Sequence, residues 1–204
     1  MMIKRHAAVV APVAGFLLGF LDFVWIKYVP YPFAGLGNSM AAWAVAAFLL
    51  TYLSRWRLPV AVPAAIVCLV VAVPSYYLAA ALIQGDDWSN LTNTTAILWM
   101  GSGVIAGAVF GAGGVLARRP GPLRLPALAL PAAVLFAEGV RELTRLGDPN
   151  YETGDLVAYA TLLAVLGLGL TVWLAGSWRD RLIALAWSIP LTAVGWLLLT
   201  ATFR

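Results

Sequence analysis

Two carboxylic acids stand inside long apolar stretches. Asp22 lies in Leu18-Gly-Phe-Leu-Asp-Phe-Val-Trp-Ile-Lys27, and Glu138 lies in Ala133-Val-Leu-Phe-Ala-Glu-Gly-Val-Arg-Glu142. A carboxylate deep in a bilayer costs about 2.5–3.5 kcal/mol, so each acid is expected to face the protein interior and to have a partner. Desolvation disfavours the charged form of a carboxyl group. A carboxyl in a dry pocket can therefore keep its proton and serve as a general acid at neutral pH. Asp22 reads as a proton donor or ligand contact, or as a structural hydrogen bond or ion pair. Lys27 can pair with it or snorkel to the interface. Glu138, Arg141, Glu142 and Arg145 follow i, i+3, i+4, i+7 spacing and share one helix face. That face is either a charged wall of the bundle interior or a solvated helix extension, with Glu138 its deepest member.

Aromatic residues gather in the same half of the chain's apolar runs. Trp25, Tyr28, Tyr76, Trp99, Tyr159 and Trp196, with Asn38 and Asn93, are the candidate substrate-binding residues. Ring faces attract cations by about 0.5–2 kcal/mol each, so a ring-lined cavity suits a carbocation or a quaternary amine. The competing reading of each ring is the aromatic belt at a membrane interface. Asp86-Asp87-Trp88-Ser89-Asn90 looks faintly like an Asp-Asp-x-x-Asp/Asn magnesium–diphosphate motif. A helix-start signal explains the same residues.

Other chemistries lack their parts. Cys68 is the only cysteine and His6 the only histidine. No disulfide within the chain, zinc site, Ser-His-Asp triad or Cys-His dyad can be assembled from them. No lysine in the seventh apolar run offers a retinal Schiff base. Neither a metal nor a cofactor is called for.

The elements that must position these residues follow from composition. Of 204 residues, 62% are hydrophobic and 11% charged, against about a quarter charged in soluble domains. This leaves no polar surface for a sizeable soluble domain. A spanning helix needs about 20 apolar residues. Seven runs qualify: Ala7–Val29, Leu36–Leu53, Leu58–Ile83, Thr92–Ala117, Leu123–Leu146, Asp155–Ala175 and Arg181–Phe203. The second is short and the fifth ends in charges. The first runs on without a small-residue cleavage site and reads as a retained helix. The expected fold is all-α: one polytopic transmembrane helical bundle over 1–204, multi-pass in the cell membrane.

Loop charges set the expected orientation. Lys4, Arg5, Arg55, Arg57, Arg118, Arg119, Arg124, Arg179 and Arg181 fall on one side, and Lys27, Arg141, Arg145 and Arg204 on the other. The richer side is cytoplasmic by the positive-inside rule, which puts the N-terminus inside and the C-terminus outside. The basic balance thus reflects the bilayer as partner, not nucleic acid. Nearly all acids fall on the outer side, which suggests a functional outer face. Gly15-xxx-Gly19 and Gly103-xxx-Gly107-xxx-Gly111 are spaced for close helix packing. Pro63, Pro74, Pro131 and Pro190 stand inside runs.

The segment Leu18–Lys27 with Ala34-Gly-Leu-Gly-Asn-Ser-Met40 resembles a family of small actinobacterial membrane proteins. Size, span number and intramembrane acids are also similar to the small membrane-bound terpene cyclases of bacterial and fungal meroterpenoid pathways, including those that cyclise indole-terpenoids. The resemblance implies an isomerase of the protonation-initiated type. Asp22 or Glu138 would protonate an alkene or epoxide of a prenylated small molecule, and rings would guide the cation to ring closure. The alternative is a non-catalytic binder or proton-coupled transporter of a small cationic or lipid-like molecule. Substrate and oligomeric state are not legible.

Overall fold

The computed structural model describes the backbone of residues 2–202 and the side chains of residues 6–198, 200 and 201. Phe203 and Arg204, which end the seventh expected span and carry one outer charge, lie outside the described residues. The side chains of Lys4 and Arg5 do so too. The described chain is all helical. Its elements are α1 (Met2–Tyr28), a 3-10 helix (Phe33–Asn38), α2 (Met40–Ser54), α3 (Leu58–Gln84), a 3-10 helix (Trp88–Leu91), α4 (Thr94–Leu116), α5 (Arg124–Leu143), α6 (Thr153–Leu174) and α7 (Trp178–Thr202).

Five of these helices, α1, α3, α4, α6 and α7, are long and apolar enough to cross a membrane. The other two differ for separate reasons. α2 has 15 residues, about 22 Å of helix, less than the roughly 30 Å of a hydrocarbon core. α5 carries Arg124, Glu138, Arg141 and Glu142 in its 20 residues.

The second apolar run does not start at Leu36 as a helix. Ser39 breaks the backbone with an extended conformation, and its side chain accepts from Ala42 N. The preceding Phe33–Asn38 segment winds as 3-10 helix. Glycines are required there by close approach: a Cβ on Gly35 would meet the Tyr159 ring at 2.6 Å, and one on Gly37 would meet Asp22 O at 2.8 Å. The fourth run starts later than expected, at Thr94, because Asn93 caps it. The fifth stops at Leu143.

The helices pack in a chain of neighbours: α1 on α3, α3 on α4, α4 on α2, α2 on α5, and α5 on both α6 and α7. Small residues set the tightest seams. Gly15 and Gly19 bring α1 onto the backbone of α3, against Cys68 O and Ala72 O. Gly107 sits where a Cβ would lie 2.6 Å from Ile66 Cα, so the α3–α4 seam is also backbone on backbone. Ser75 Oγ donates to Phe16 O at 2.6 Å across the α1–α3 seam.

Gly19→Val should push α1 off α3 and cost about 1–3 kcal/mol by overpacking. Gly169→Val, where a Cβ meets open space, is the control. Thermal unfolding of both variants in one detergent checks this: a larger loss for Gly169→Val rejects the seam.

Candidate functional site

Asp22 sits on the face of α1 turned toward α2. Its Oδ2 accepts a hydrogen bond from Trp43 Nε1 at 2.8 Å. Its other oxygen has no hydrogen-bond partner among the described residues. Around it lies a groove of about 470 Å³, open along one side of the bundle. α1 supplies Leu17, Leu18 and Leu21 to the wall, α2 supplies Ala42, Ala46 and Leu50, and Cys68 of α3 is at the floor. The groove exists because α1 leans on α3 and α2 chiefly on α4, rather than on each other. Alanines at 42 and 46 leave the space a larger side chain would fill. Trp25 also lines it, and its indole N–H donates to Phe33 O at 2.8 Å, which holds the ring at the groove's mouth. Lys27 does not pair with Asp22. Its Nζ donates to Ile83 O at 3.0 Å, at the end of α3.

Glu138 occupies a different environment. It is 4% exposed and does not line the groove. Its Oε2 accepts from Ala41 N at 2.8 Å, satisfying one of the donors a helix N-terminus leaves open. Tyr159 Oη lies 2.8 Å from Glu138 Oε1 and 2.9 Å from Gly35 O. A phenol has one hydrogen, so it serves only one of these acceptors. A donor at position 138 that gives to the phenol lets the phenol give to Gly35, and every atom is satisfied. The cluster ties α5 and α6 to the start of α2 and to the 3-10 segment before it.

The opposite end of α2 is closed by a cation. Arg118 Nη2 donates to Thr51 O and to Trp56 O, both at 3.1 Å, and Nε donates to Gly114 O at 3.3 Å.

The remaining candidates do not converge on the groove. Tyr28 is 68% exposed, and Asn38 is exposed. Tyr76 packs edge-on against Phe23 and Tyr77. Asn93 is spent as a helix cap: its Oδ1 accepts from Ala96 N, and its Nδ2 donates to Asn90 Oδ1. Trp99 is half-buried on α4. Trp196 lies on α7, which packs on α5 and α6, and its buried indole N–H has no hydrogen-bond partner among the described residues. The structure places Asp22 and Trp25 in one groove and Glu138 and Tyr159 in a separate cap at the start of α2.

Other polar features resolve locally. Asp87 Oδ1 accepts from Ser89 N at 2.7 Å, which starts the short 3-10 turn and holds this exposed carboxyl below its ordinary range. Glu142 pairs with Arg145 at 2.8 Å, and Arg145 lies over the Tyr151 ring. No group of three or more metal-binding side chains occurs among the described residues. The residues that sequence reading missed are Trp43 and Arg118. Trp43 sits in an alanine-rich run with nothing to mark it, except that a buried Asp22 requires a donor facing it.

Glu138→Ala should lose about 1–3 kcal/mol, the cost of leaving buried donors unpaired. Glu138→Gln should stay close to the parent, because its amide accepts from Ala41 N and donates to Tyr159. Thermal unfolding in detergent distinguishes them. A Gln variant as weak as the Ala variant would mean that the charge, not the hydrogen-bond pattern, holds the cap.

No curated protein and no solved structure matches the chain. A family model described as "Family of unknown function (DUF6518)" matches residues 3–204, so the chain belongs to that family.

Proposed function

We propose that the chain is a multi-pass membrane protein whose α1–α2 groove takes an amphiphilic molecule from the lipid phase and reads its head group with Asp22. All seven helices lie across the bilayer in this reading, with the N-terminus cytoplasmic. Five helices of spanning length support the membrane setting. The charge asymmetry of the loops supports the orientation. The 3-10 segment makes up the thickness that α2 lacks. Irregular backbone at that depth is tolerable only when buried in protein, and Gly35 and Gly37 are packed against Tyr159 and α1.

One observation carries the functional reading. An apolar groove open to the bundle's flank ends at a carboxylate with one oxygen free for a guest. Sites for small molecules are mostly apolar with a few placed polar groups, and this groove has that composition. Its walls are chiefly aliphatic and it is open, which suits binding or transfer of a lipid-like molecule better than an enclosed reaction chamber. Glu138 is a structural cap in this reading.

The free Asp22 oxygen also favours a second reading, protonation-initiated cyclisation of a prenylated molecule. The carboxyl O–H would break as a C–H bond forms on the alkene, and the carboxylate would recover a proton after ring closure. The two readings part at Asp22→Asn. A cyclase loses turnover of a prenylated indole while still binding it. A binder has no turnover to lose.

In phosphatidylcholine nanodiscs, an alkyl alcohol bearing a photoreactive diazirine should label residues 14–25 and 42–50 in preference to α6 and α7. Ala46→Phe, which fills the groove, should cut that labelling several-fold. Uniform labelling of all lipid-facing helices, unaffected by Ala46→Phe, would refute the groove as a binding site.

A further inference from the structure

Among the described residues Asp22 has no cationic partner. The two ion pairs among the described residues join Arg124 to Asp180 and Arg145 to Glu142. Lys27, the nearest cation along α1, is committed to the carbonyl of Ile83. The one donor on Asp22 is the Trp43 indole N–H, a neutral group that donates and cannot accept. A carboxyl in a weakly polarisable setting either keeps its proton or takes a counter-charge, and the described residues supply no such charge. The groove therefore has a polar end that a guest bringing both a positive charge and an N–H donor would complete.

The rest of the groove narrows the guest further. From Asp22 back to Ala14 is about 12 Å along α1. Over that length the lining is Leu18, Leu17, Leu50 and Cys68, with no second charged or amide side chain. A molecule with two charged ends would strand one of them there. An anionic head would face Asp22 with no cation beside it. Trp25 at the mouth offers a ring face to a cation.

We infer that the groove's guest is a lipophilic primary amine, its ammonium on the free oxygen of Asp22 and its single apolar chain laid along α1 toward Ala14. This rests on the reading of the groove as a binding site. A charge-assisted hydrogen bond is roughly twice as strong as a neutral one. An alkylamine should therefore bind about tenfold more tightly than the alcohol of equal chain length.

The experiment uses the full chain in phosphatidylcholine nanodiscs, with Leu17→Cys in a Cys68→Ala background as a reporter at the groove wall. The rate of maleimide labelling is followed against added decylamine or decanol. Decylamine is expected to protect the thiol at about one-tenth of the decanol concentration. Adding Asp22→Asn should erase that difference while decanol protection persists. Equal protection by the two probes in the parent, or an amine advantage that survives Asp22→Asn, would overturn the amine assignment and leave the groove reading standing. Protection by neither probe would overturn the groove reading and this inference together.

Discussion

A short helix held at both ends by its neighbours is the constraint on which the rest of the arrangement depends. α2 is bracketed by two side chains: the Glu138 carboxyl meets the amide of Ala41 near its start, and the Arg118 guanidinium meets the carbonyl of Thr51 near its end. Each satisfies a group that a helix terminus leaves open. Both brackets come from other helices, α5 and the end of α4. Capping and tertiary packing are thus one interaction. Without it, α2 would have bare polar ends buried among apolar neighbours, a cost of several kcal/mol in hydrocarbon.

The groove follows from the same constraint. Because α2 begins only at Met40, the 3-10 segment before it lies against its neighbours, with Gly37 pressed onto α1 near Asp22 and Gly35 onto Tyr159. The top of the gap between α1 and α2 is closed by this segment. Its flank stays open, since the side chains α2 turns toward α1 include Ala42 and Ala46. Glycines at 15 and 19 draw α1 to α3 and not to α2. Packing so tight on one face of α1 leaves its other face free to line a site.

Much of this was legible in the residues. Hydropathy located the long helices, because a run such as Leu58–Gln84 has few other ways to hide its backbone. Asp22 and Glu138 stood out because a carboxylate in such a run needs a reason. The residues before α2 have cap chemistry, since Asn38 and Ser39 each offer a side-chain oxygen to the first amides, and the structure uses Ser39. What stayed hidden was pairing across the bundle. Nothing in one dimension tells that Glu138 faces Ala41, 97 residues away, or that Arg118 reaches back to Thr51. Rings misled for a related reason. Trp and Tyr near helix ends look alike whether they line a site, edge against a neighbour as Tyr76 does, or face outward as Tyr28 does. Only the partner decides.

Partners also separate the two acids. Glu138 holds a backbone amide on one oxygen and a phenol on the other, and it is sealed within the protein. A guest reaching it would have to displace the cap that starts α2, so its chemistry is bound to the fold. Asp22 holds one neutral donor on one oxygen and lines open space with the other. Removing its side chain takes away no helix cap and no ion pair. A fold under pressure only to be stable would gain by replacing such an acid with leucine, since an intramembrane carboxylate costs about 2.5–3.5 kcal/mol. Within the fold Asp22 has one task, to hold the Trp43 indole of α2 against α1; a guest on its other oxygen, as proposed, would add to what offsets that cost.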